Sequence, residues 1–180
     1  MEIKVDNTIT LSLINQSHAQ ALFSIVDAQR QHLSTYLPWV GNMQTVADFD
    51  NYITHCQYLY SQQQEVSFVI VVNNTVVGRI GLHYINQQNQ LANIGYWLSA
   101  EYLGQGIVTK ACKALIAYGF TTLQLNRIEI KAAVTNIKSN AIPHKLNFEL
   151  EGILQQAELV NGIYHNLNIY ALLKNKWRLE

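Results

Sequence analysis

The 180-residue chain has few cysteines, few prolines and little charge. Its two cysteines, Cys56 and Cys112, have neither the number nor the spacing of a disulfide framework or a metal site, so we expect free thiols and no metal. Lys plus Arg and Asp plus Glu number 12 each, which leaves no net basic charge to favour nucleic acid. No apolar run is long enough to span a bilayer, and Met1–Ile14 lacks the pattern of a signal peptide. These absences predict a cytoplasmic protein that binds neither a membrane nor nucleic acid.

Composition and hydrophobic periodicity predict one domain, residues 1–180, with an α+β fold of mixed α/β layers. Hydrophobic residues make up 49% of the chain, enough for a sizeable core at this length. A period of two predicts strands, and a period near 3.6 predicts helices. The predicted strands are Ile3–Ile14 (one or two strands), Val66–Val72, Val76–Tyr84, Leu91–Leu98, Arg127–Val134, Phe148–Leu159 and Tyr164–Leu173. The predicted helices begin at a Ser17 cap, at Thr45, after Gly106 and after Ser139.

The connections between these segments predict a mixed, mostly antiparallel sheet with helices on both faces. Turn residues at Asn73-Asn74 and Asn161-Gly162 join neighbouring strands as hairpins. Arg127–Val134 follows a strand and a helical crossover, so it should pair parallel to Leu91–Leu98. Gly95, in the middle of that earlier strand, predicts a bulge or a close backbone approach.

A glycine-rich turn between a strand and an amphipathic helix is the most informative chemical signal. Gly104 and Gly106 let the backbone approach a ligand closely, and the start of the following helix attracts an anion. A nucleotide P-loop is disfavoured because Ile107, rather than Lys and Ser or Thr, follows the second glycine. A dinucleotide fingerprint is disfavoured because Thr109 occupies the position of its third glycine. A third candidate ligand is the pyrophosphate of coenzyme A, and the motifs around the turn bear on it.

An ordered series of motifs surrounds the glycine turn. From Ile94 onward the chain reads IGYWL, YLGQG, TKACKALIAYGF, RIEIKAAV, NIKSN and KLNFELEG. On these motifs the chain resembles the GNAT superfamily of acyl-CoA N-acyltransferases. The further motifs YLPWV, LNRIEI and LQQAELVNGIYHNLNIYAL make nearly the whole chain similar to the RimL-type ribosomal-protein N-terminal acetyltransferases. The resemblance implies a GNAT fold, acetyl-CoA as co-substrate and an amine acceptor, with a protein N-terminus as the first expectation.

The resemblance also implies how acetyl-CoA binds. Its pyrophosphate would rest on the backbone N–H groups of residues 103–108. Its pantetheine arm would lie as a pseudo-strand beside residues 96–98, where the two parallel strands splay apart. The residues expected to bind the cofactor are Tyr96, Trp97, Leu98, Leu103, Gly104, Gln105, Gly106, Ile107, Val108, Thr109, Asn136 and Ser139.

The same resemblance implies two catalytic side chains. Ser139 would donate a proton or a hydrogen bond to the leaving thiolate, although its position also suits a helix N-cap. Glu158 would act as the base through a water molecule, whereas an isolated strand carboxylate is most often only solvated. Tyr36 and Trp39 would line the acceptor cleft. A backbone N–H at the expected bulge, near residues 95–97, would bind the oxyanion.

Some positions depart from the family pattern or need a separate interpretation. Pro143 stands where many superfamily members carry a tyrosine acid, and we expect it early in its helix behind an Asn140 cap. Asn147 replaces a glycine and can adopt the same left-handed conformation after a helix. His144 and His165 are expected to be exposed and not to act as ligands.

Several alternatives stay open from the residues alone. Cys112 has no base placed beside it, which favours direct attack by the amine over a cysteine-bound acetyl intermediate. The acceptor could instead be a polyamine, an amino acid or an antibiotic, and Asp27, Asp48 and Asp50 form no clear acidic run that would decide the matter. A non-catalytic acyl-CoA-binding protein is the alternative from another class. A homodimer through an exposed sheet edge or the C-terminal hairpin is also left open.

Overall fold

One mixed sheet of eight strands organises the computed structural model, which describes residues 1–178. The strands are β1 (Glu2–Lys4), β2 (Ile9–Leu13), β3 (Val66–Val72), β4 (Thr75–Asn86), β5 (Leu91–Leu98), β6 (Arg127–Ala133), β7 (Glu149–Val160) and β8 (Ile163–Leu173). Their order across the sheet is β1-β2-β3-β4-β5-β6-β8-β7. Every neighbouring pair is antiparallel except β5 and β6. The predicted mixed, mostly antiparallel sheet with one parallel pair is confirmed.

Helices cover both faces of this sheet, as predicted. They are α1 (Ala19–Ala28), α2 (Arg30–Leu33), α3 (Val46–Ser61), α4 (Ile107–Thr121) and α5 (Ile137–Lys145). One core cluster joins α1 and α3 to one face through Leu22, Phe49 and Ile53. A second cluster joins α4 to the opposite face through Cys112 and Leu115. In the described part of the chain, no helix is both long and apolar enough to cross a membrane.

Each of the two early helical segments begins at a capping box. The Thr45 hydroxyl accepts a hydrogen bond from the Asp48 N–H, and the Asp48 carboxylate accepts one from the Thr45 N–H at 2.7 Å. This capping box confirms the predicted start of α3. The cap expected at Ser17 was wrong, because Asn15 caps a short 3-10 turn that leads into α1. The Asn15 side chain is one position ahead of that turn and accepts from the Ser17 N–H at 3.0 Å.

The predicted turn residues adopt the left-handed backbone that their types tolerate. In the β3–β4 hairpin, Asn73 and Asn74 have φ of 47° and 65°. In the β7–β8 hairpin, Asn161 and Gly162 have φ of 49° and 80°. Asn147, which follows α5, has φ of 59° and so replaces glycine without changing the backbone path. The predicted hairpins at Asn73-Asn74 and Asn161-Gly162 are therefore confirmed.

The bulge expected at Gly95 was wrong. Pairing between β4 and β5 is regular from Gly78–Leu98 to His83–Asn93, and the irregularity lies after His83. The close approach was real, but it involves a side chain. A Cβ atom on Gly95 would lie 3.1 Å from Cδ2 of His83, so the glycine makes room for the imidazole to lie against the sheet.

The start of α5 also differs from the expectation. The helix begins at Ile137, its cap is Asn136, and Pro143 lies inside it rather than in its first turn. Ser139 is therefore not a cap; its N–H donates to Asn136 Oδ1 at 3.1 Å. Asn140 is not a cap either, because its side chain is only 8% exposed and is bonded to the neighbouring strands.

Candidate active site

The parallel strands β5 and β6 separate part-way along their length. Their pairing stops at Ile94 and Ile130. Beyond this point β5 stays paired to β4, and β6 stays paired to β8. The Ser99 N–H donates to the Val77 carbonyl of β4 at 2.7 Å. Because N–H direction alternates along a strand, the N–H groups of Tyr96 and Leu98 point into the opening, where an extended ligand with amide groups can pair as an added strand.

A cleft of about 390 Å³ follows this opening. The predicted site residues on its wall are Tyr36, Tyr96, Trp97, Leu98, Leu103, Val108, Asn136 and Ser139. Sequence reasoning missed the wall residues contributed by α2, the loop after it, the turn before α5 and α5 itself. These are His32, Leu33, Thr35, Leu37, Thr135, Ile137, Lys138 and Ile142. Helix α2 has only four residues, too few for a periodic pattern to reveal it.

The glycine turn lies directly before the N-terminus of helix α4. Gly104 and Gly106 have φ of 77° and 74°, and no atom lies within 4 Å of a Cβ built on either. The first hydrogen bond of α4 runs from the Lys110 N–H to the Gly106 carbonyl at 3.0 Å. The N–H groups of residues 107–109 therefore precede the intrahelical ladder, and Gly106 offers no side-chain cap to occupy them. This arrangement fits a pyrophosphate, as the sequence predicted.

The roles of the loop residues are divided between backbone and side chains. Ile107 is 4% exposed and its side chain packs in the core, so only its backbone faces the mouth. The Gln105 amide donates to the Glu101 carbonyl at 3.2 Å and closes the loop on itself. Gln29, at the end of α1, donates to Ser99 Oγ and accepts from the Ala100 N–H, both at 2.8 Å. Residues 99 and 100, just before the loop, are thus held by the end of α1 as well as by the sheet.

A buried amide network fixes the start of α5. Asn140 donates to the carbonyls of Ala133 and Asn136 at 2.8 and 2.7 Å. Its Oδ1 accepts from Asn168 Nδ2 at 2.7 Å and from the Tyr170 hydroxyl at 2.8 Å. All four hydrogen-bonding positions of this side chain are used, which ties α5 to β6 and β8. The network places Ser139 at the opening between the parallel strands.

Ser139 is also in contact with β5. The Tyr96 hydroxyl lies 3.1 Å from the Ser139 carbonyl oxygen and 3.1 Å from Ser139 Oγ. Burial raises the pKa of Tyr96 well above its usual value, so its hydroxyl stays protonated. On the α5 face, the opening is therefore bordered by the Ser139 hydroxyl, which contacts the neutral phenol of Tyr96.

Glu158 lies on the other side of the sheet, in a cluster that sequence reasoning did not anticipate. It pairs directly with His165 across the β7–β8 hairpin, so the two side chains share one face. The His165 ring packs edge-on against Tyr36 at 6.0 Å, and the Tyr36 hydroxyl donates to the Thr135 carbonyl at 3.2 Å. Burial raises the pKa of Glu158, while the charge of His165 opposes the rise. The expectation that His165 is exposed was wrong because Tyr36 covers it; His144 is exposed as expected.

Trp39 lies apart from the main cleft. It packs at 6.0 Å against Trp97, and both line a neighbouring cavity of about 200 Å³. A buried ionic cluster forms the floor of this cavity. Glu65 bonds to Arg79 at 3.0 Å and to His83 at 2.7 Å. Trp97 thus separates the cleft that contains Ser139 from a polar cavity under α3.

Comparison with known proteins agrees with this geometry. Residues 8–149 match the family described as acetyltransferase (GNAT) domain. The chain belongs to this family. It is 35% identical over 178 residues to YdaF of Bacillus subtilis (strain 168), covering 98% of this chain and 97% of YdaF. It is 31% identical over 169 residues to the ribosomal-protein-serine acetyltransferase of Escherichia coli (strain K12), covering 94% of each.

A solved structure gives the same result for the fold. The structure of RimL, a ribosomal L7/L12 alpha-N-protein acetyltransferase in complex with coenzyme A, superposes with a TM-score of 0.94. It is 30% identical to this chain and covers 98% of it, and this chain covers 99% of RimL. The GNAT fold, the N-acetyltransferase activity and the use of acetyl-CoA follow from family membership. The Gly104–Gly106 turn and the open edge of β5 are the parts of this GNAT enzyme that fit the cofactor.

In this GNAT enzyme the thiol of Cys112, on helix α4, is unsuited to nucleophilic attack. Cys112 is fully buried in the core, and burial raises the pKa of its thiol well above the usual value. Cys56 is buried under α3, where burial also raises the pKa of the thiol. Within residues 1–178 there is no group of three or more His, Cys, Asp or Glu side chains that could hold a metal ion. The geometry favours direct transfer between two bound substrates.

Proposed function

We propose that the acceptor is the N-terminal α-amine of a protein, with a ribosomal protein as the first candidate. The observation that carries this proposal is the relationship to the ribosomal-protein-serine acetyltransferase over 94% of both chains. The two-sided opening between β5 and β6 supports it. Ser139 borders the opening on the α5 side, whereas Glu158 and Tyr36 lie towards α2. The thioester and the amine can therefore enter from opposite faces.

The proposed residue roles follow from the placement of Ser139 and Glu158 on opposite sides of the opening. Acetyl-CoA supplies the thioester carbonyl carbon that the amine attacks. Glu158, through a water molecule, accepts the proton that the amine loses as the C–N bond forms. The free N–H groups of Tyr96 and Leu98 are the candidate donors to the oxyanion. As the C–S bond breaks, the Ser139 hydroxyl donates its proton to the thiolate and regains one from solvent.

The environment of Glu158 favours an α-amine over a lysine side chain. An α-amino group has a pKa of about 7.7–8.0, against about 10.4 for lysine. A half-buried carboxylate with a raised pKa can take a proton from the α-amine at a smaller cost near neutral pH. Two of the three early carboxylates, Asp27 and Asp48, are engaged within the protein and so are less available to select a polyamine. Asp48 is engaged in the α3 cap and Asp27 in an ion pair with Arg30 at 2.9 Å.

The test is a thiol-release assay with acetyl-CoA and a panel of acceptors. The panel contains peptides with free N-termini, the same peptides with acetylated N-termini, polyamines, amino acids and aminoglycosides. We expect turnover with free peptide N-termini and none with the blocked peptides. Turnover confined to polyamines or other small amines would assign a small-molecule acceptor. Binding of CoA without turnover on any acceptor would assign a non-catalytic acyl-CoA-binding protein.

Three further expectations belong to this proposal. All described strands share one sheet, which supports one domain across residues 1–180, although the last two residues lie outside those described. Two buried free thiols support action in the reducing cytoplasm.

The edge strand β7 exposes Leu150, Ile153 and Leu159 by about half, which supports a homodimer along this edge. Sedimentation equilibrium of the wild type and of Ile153→Lys tests the dimer; a wild type that stays monomeric at micromolar concentration excludes it.

A further inference from the structure

The proline inside α5 leaves a backbone acceptor without its usual partner. In an α-helix the N–H of residue i+4 donates to the carbonyl of residue i. Pro143 has no N–H, so the Ser139 carbonyl lacks its usual i+4 donor. The carbonyl is satisfied instead from the sheet, by the Tyr96 hydroxyl at 3.1 Å. The same hydroxyl lies 3.1 Å from Ser139 Oγ.

We propose that Tyr96 is the positioning residue of the acetyl-transfer reaction, because it holds the Ser139 hydroxyl towards the leaving sulfur and Pro143 keeps the phenol in place. This inference rests on the proposed role of Ser139 as proton donor. The phenol reaches two atoms of one residue, which fixes both the helix turn and the side-chain rotamer. In this arrangement the single phenol proton is shared between the Ser139 carbonyl and Ser139 Oγ, both 3.1 Å away, which leaves the serine proton free to point into the opening.

The position and the chemistry of Tyr96 exclude a role as the proton donor itself. Its hydroxyl is already bonded to the Ser139 carbonyl, and burial raises the pKa of the phenol. A weaker acid than free tyrosine gives up its proton less readily to a thiolate. The backbone of Tyr96 faces the opening and its side chain faces α5, so the two can act separately. The hydroxyl contribution can therefore be removed without changing the pairing edge.

The first test compares Tyr96→Phe, Ser139→Ala and the double variant. For Tyr96→Phe we expect kcat to fall roughly tenfold, as for the loss of one hydrogen bond, with the Kd for acetyl-CoA unchanged. Ser139→Ala should lower kcat by roughly a hundredfold. The double variant should match Ser139→Ala alone, because the phenol has nothing left to position. The control is Tyr118→Phe, which removes a hydroxyl from α4, on the same face of the sheet, and should leave kcat unchanged.

The second test separates the two contacts of the phenol without using catalysis. Tyr96→Phe leaves the Ser139 carbonyl unpaired, so Tm should fall by about 3 °C. Adding Pro143→Ala supplies the missing N–H and should restore Tm, but it should not restore kcat, because Ser139 Oγ still lacks its partner. A kcat that returns with Tm would reduce Tyr96 to a purely structural role and overturn the inference.

The outcomes distinguish this inference from the proposal on which it rests. If Ser139→Ala lowers kcat and Tyr96→Phe does not, the positioning role is wrong and the proposed acid stands. If the losses of the two single variants multiply in the double variant, Tyr96 acts independently of Ser139 and the inference is also overturned. If Ser139→Ala has full kcat, both the acid and its positioning residue are wrong.

Discussion

At the scale of single residues, environment decides which of several similar groups can do chemistry. Of the carboxylates on β7, Glu149 is exposed and paired with Lys176 at 2.6 Å, whereas Glu158 is half-buried beside His165. Burial raises the pKa of Glu158, which makes its carboxylate a stronger base. Strand periodicity places both residues on β7 and does not tell them apart, and the family resemblance selects Glu158 without a physical reason. The structure supplies that reason, since Glu158 pairs with His165, which Tyr36 covers.

Glu158→Gln should lower kcat by about a hundredfold or more, because the amide cannot accept the amine proton. The Kd for acetyl-CoA, measured by calorimetry, should stay the same. Glu149→Gln, a matched change on the same strand, should leave both quantities unaltered. Full activity in Glu158→Gln would remove this residue from the mechanism.

The pH dependence of the wild type provides a separate measurement of the same group. The ionised carboxylate is the active form and its pKa is raised, so kcat/KM should increase with pH through a value above the ordinary 4.5. Replacing His165 by Asn removes the charge that opposes the rise and should move this limb to still higher pH. A limb that does not move in His165→Asn would indicate that another group titrates.

Cys112 offers a test of direct transfer at the same scale. Its thiol is fully buried and its pKa is raised. Cys112→Ala should therefore retain kcat within about threefold, although the lost side-chain volume should lower stability by about 1–2 kcal/mol. Mass spectrometry of the wild type with acetyl-CoA and no acceptor should detect no acetylated enzyme. A stable acetyl adduct on this thiol would instead require a two-step mechanism.

At the scale of secondary-structure elements, the start of α4 presents several backbone N–H groups together, which no single side chain can do. The helix supplies N–H groups of residues 107–109, and two left-handed glycines before it keep the approach open. The sequence alone was sufficient here, because glycine spacing and the amphipathic pattern are both local. It was insufficient for α5, where the helix start depends on Asn140 bonding to β6 and β8.

Gly106→Glu should abolish CoA binding, because it places a carboxylate at the phosphate site. Gly162→Glu is the matched control, since Gly162 has a similar φ of 80° and equally open surroundings. Both variants carry the same backbone strain of about 1 kcal/mol, so their Tm values should fall together. Only Gly106→Glu should lose CoA affinity in calorimetry. Equal CoA affinity in the two variants would mean that the phosphates bind elsewhere.

At the scale of the whole molecule, the ionic cluster of Glu65, Arg79 and His83 links the β3–β4 hairpin to the helix packed on it. Burial alone would raise the pKa of Glu65. The hydrogen bond and charge of His83, the charge of Arg79 and the hydrogen bond from Ser67 outweigh it and lower the pKa to about 2. The guanidinium of Arg79 also stacks over Tyr52 of α3 at 5.1 Å. The cluster therefore fastens α3 to β3 and β4.

The lowered pKa of Glu65 predicts a loss of stability in acid. The folded pKa lies below the ordinary value of 4.5, so the contribution is complete above pH 4.5 and is lost as the pH falls towards 2. The difference corresponds to about 3 kcal/mol. Urea unfolding between pH 6 and pH 2 should show a shallower pH dependence in Glu65→Gln than in the wild type. Glu2→Gln, an exposed change on β1, should keep the wild-type slope.

The sequence by itself predicted the strands, the longer helices, the hairpin turns, the parallel pair and the glycine turn proposed for the cofactor. Each of these depends on neighbours in the chain: the period of apolar residues, the Asn and Gly turn residues, or the spacing of Gly104 and Gly106. The motif series further determined the family. For the same reason the predicted strand and helix positions agree with the structure to within a few residues at most ends.

Only the tertiary structure decided how the site is assembled. Gly95 accommodates the His83 ring rather than a bulge, Pro143 leaves a carbonyl for Tyr96, and Glu158 is partly buried beside His165. In the first two cases the partner comes from another strand or helix outside any local pattern, and in the third Tyr36, distant along the chain, covers the hairpin pair. Hydrogen bonding and desolvation depend on which atoms are close in space, so these contacts form only when the sheet closes around the cleft.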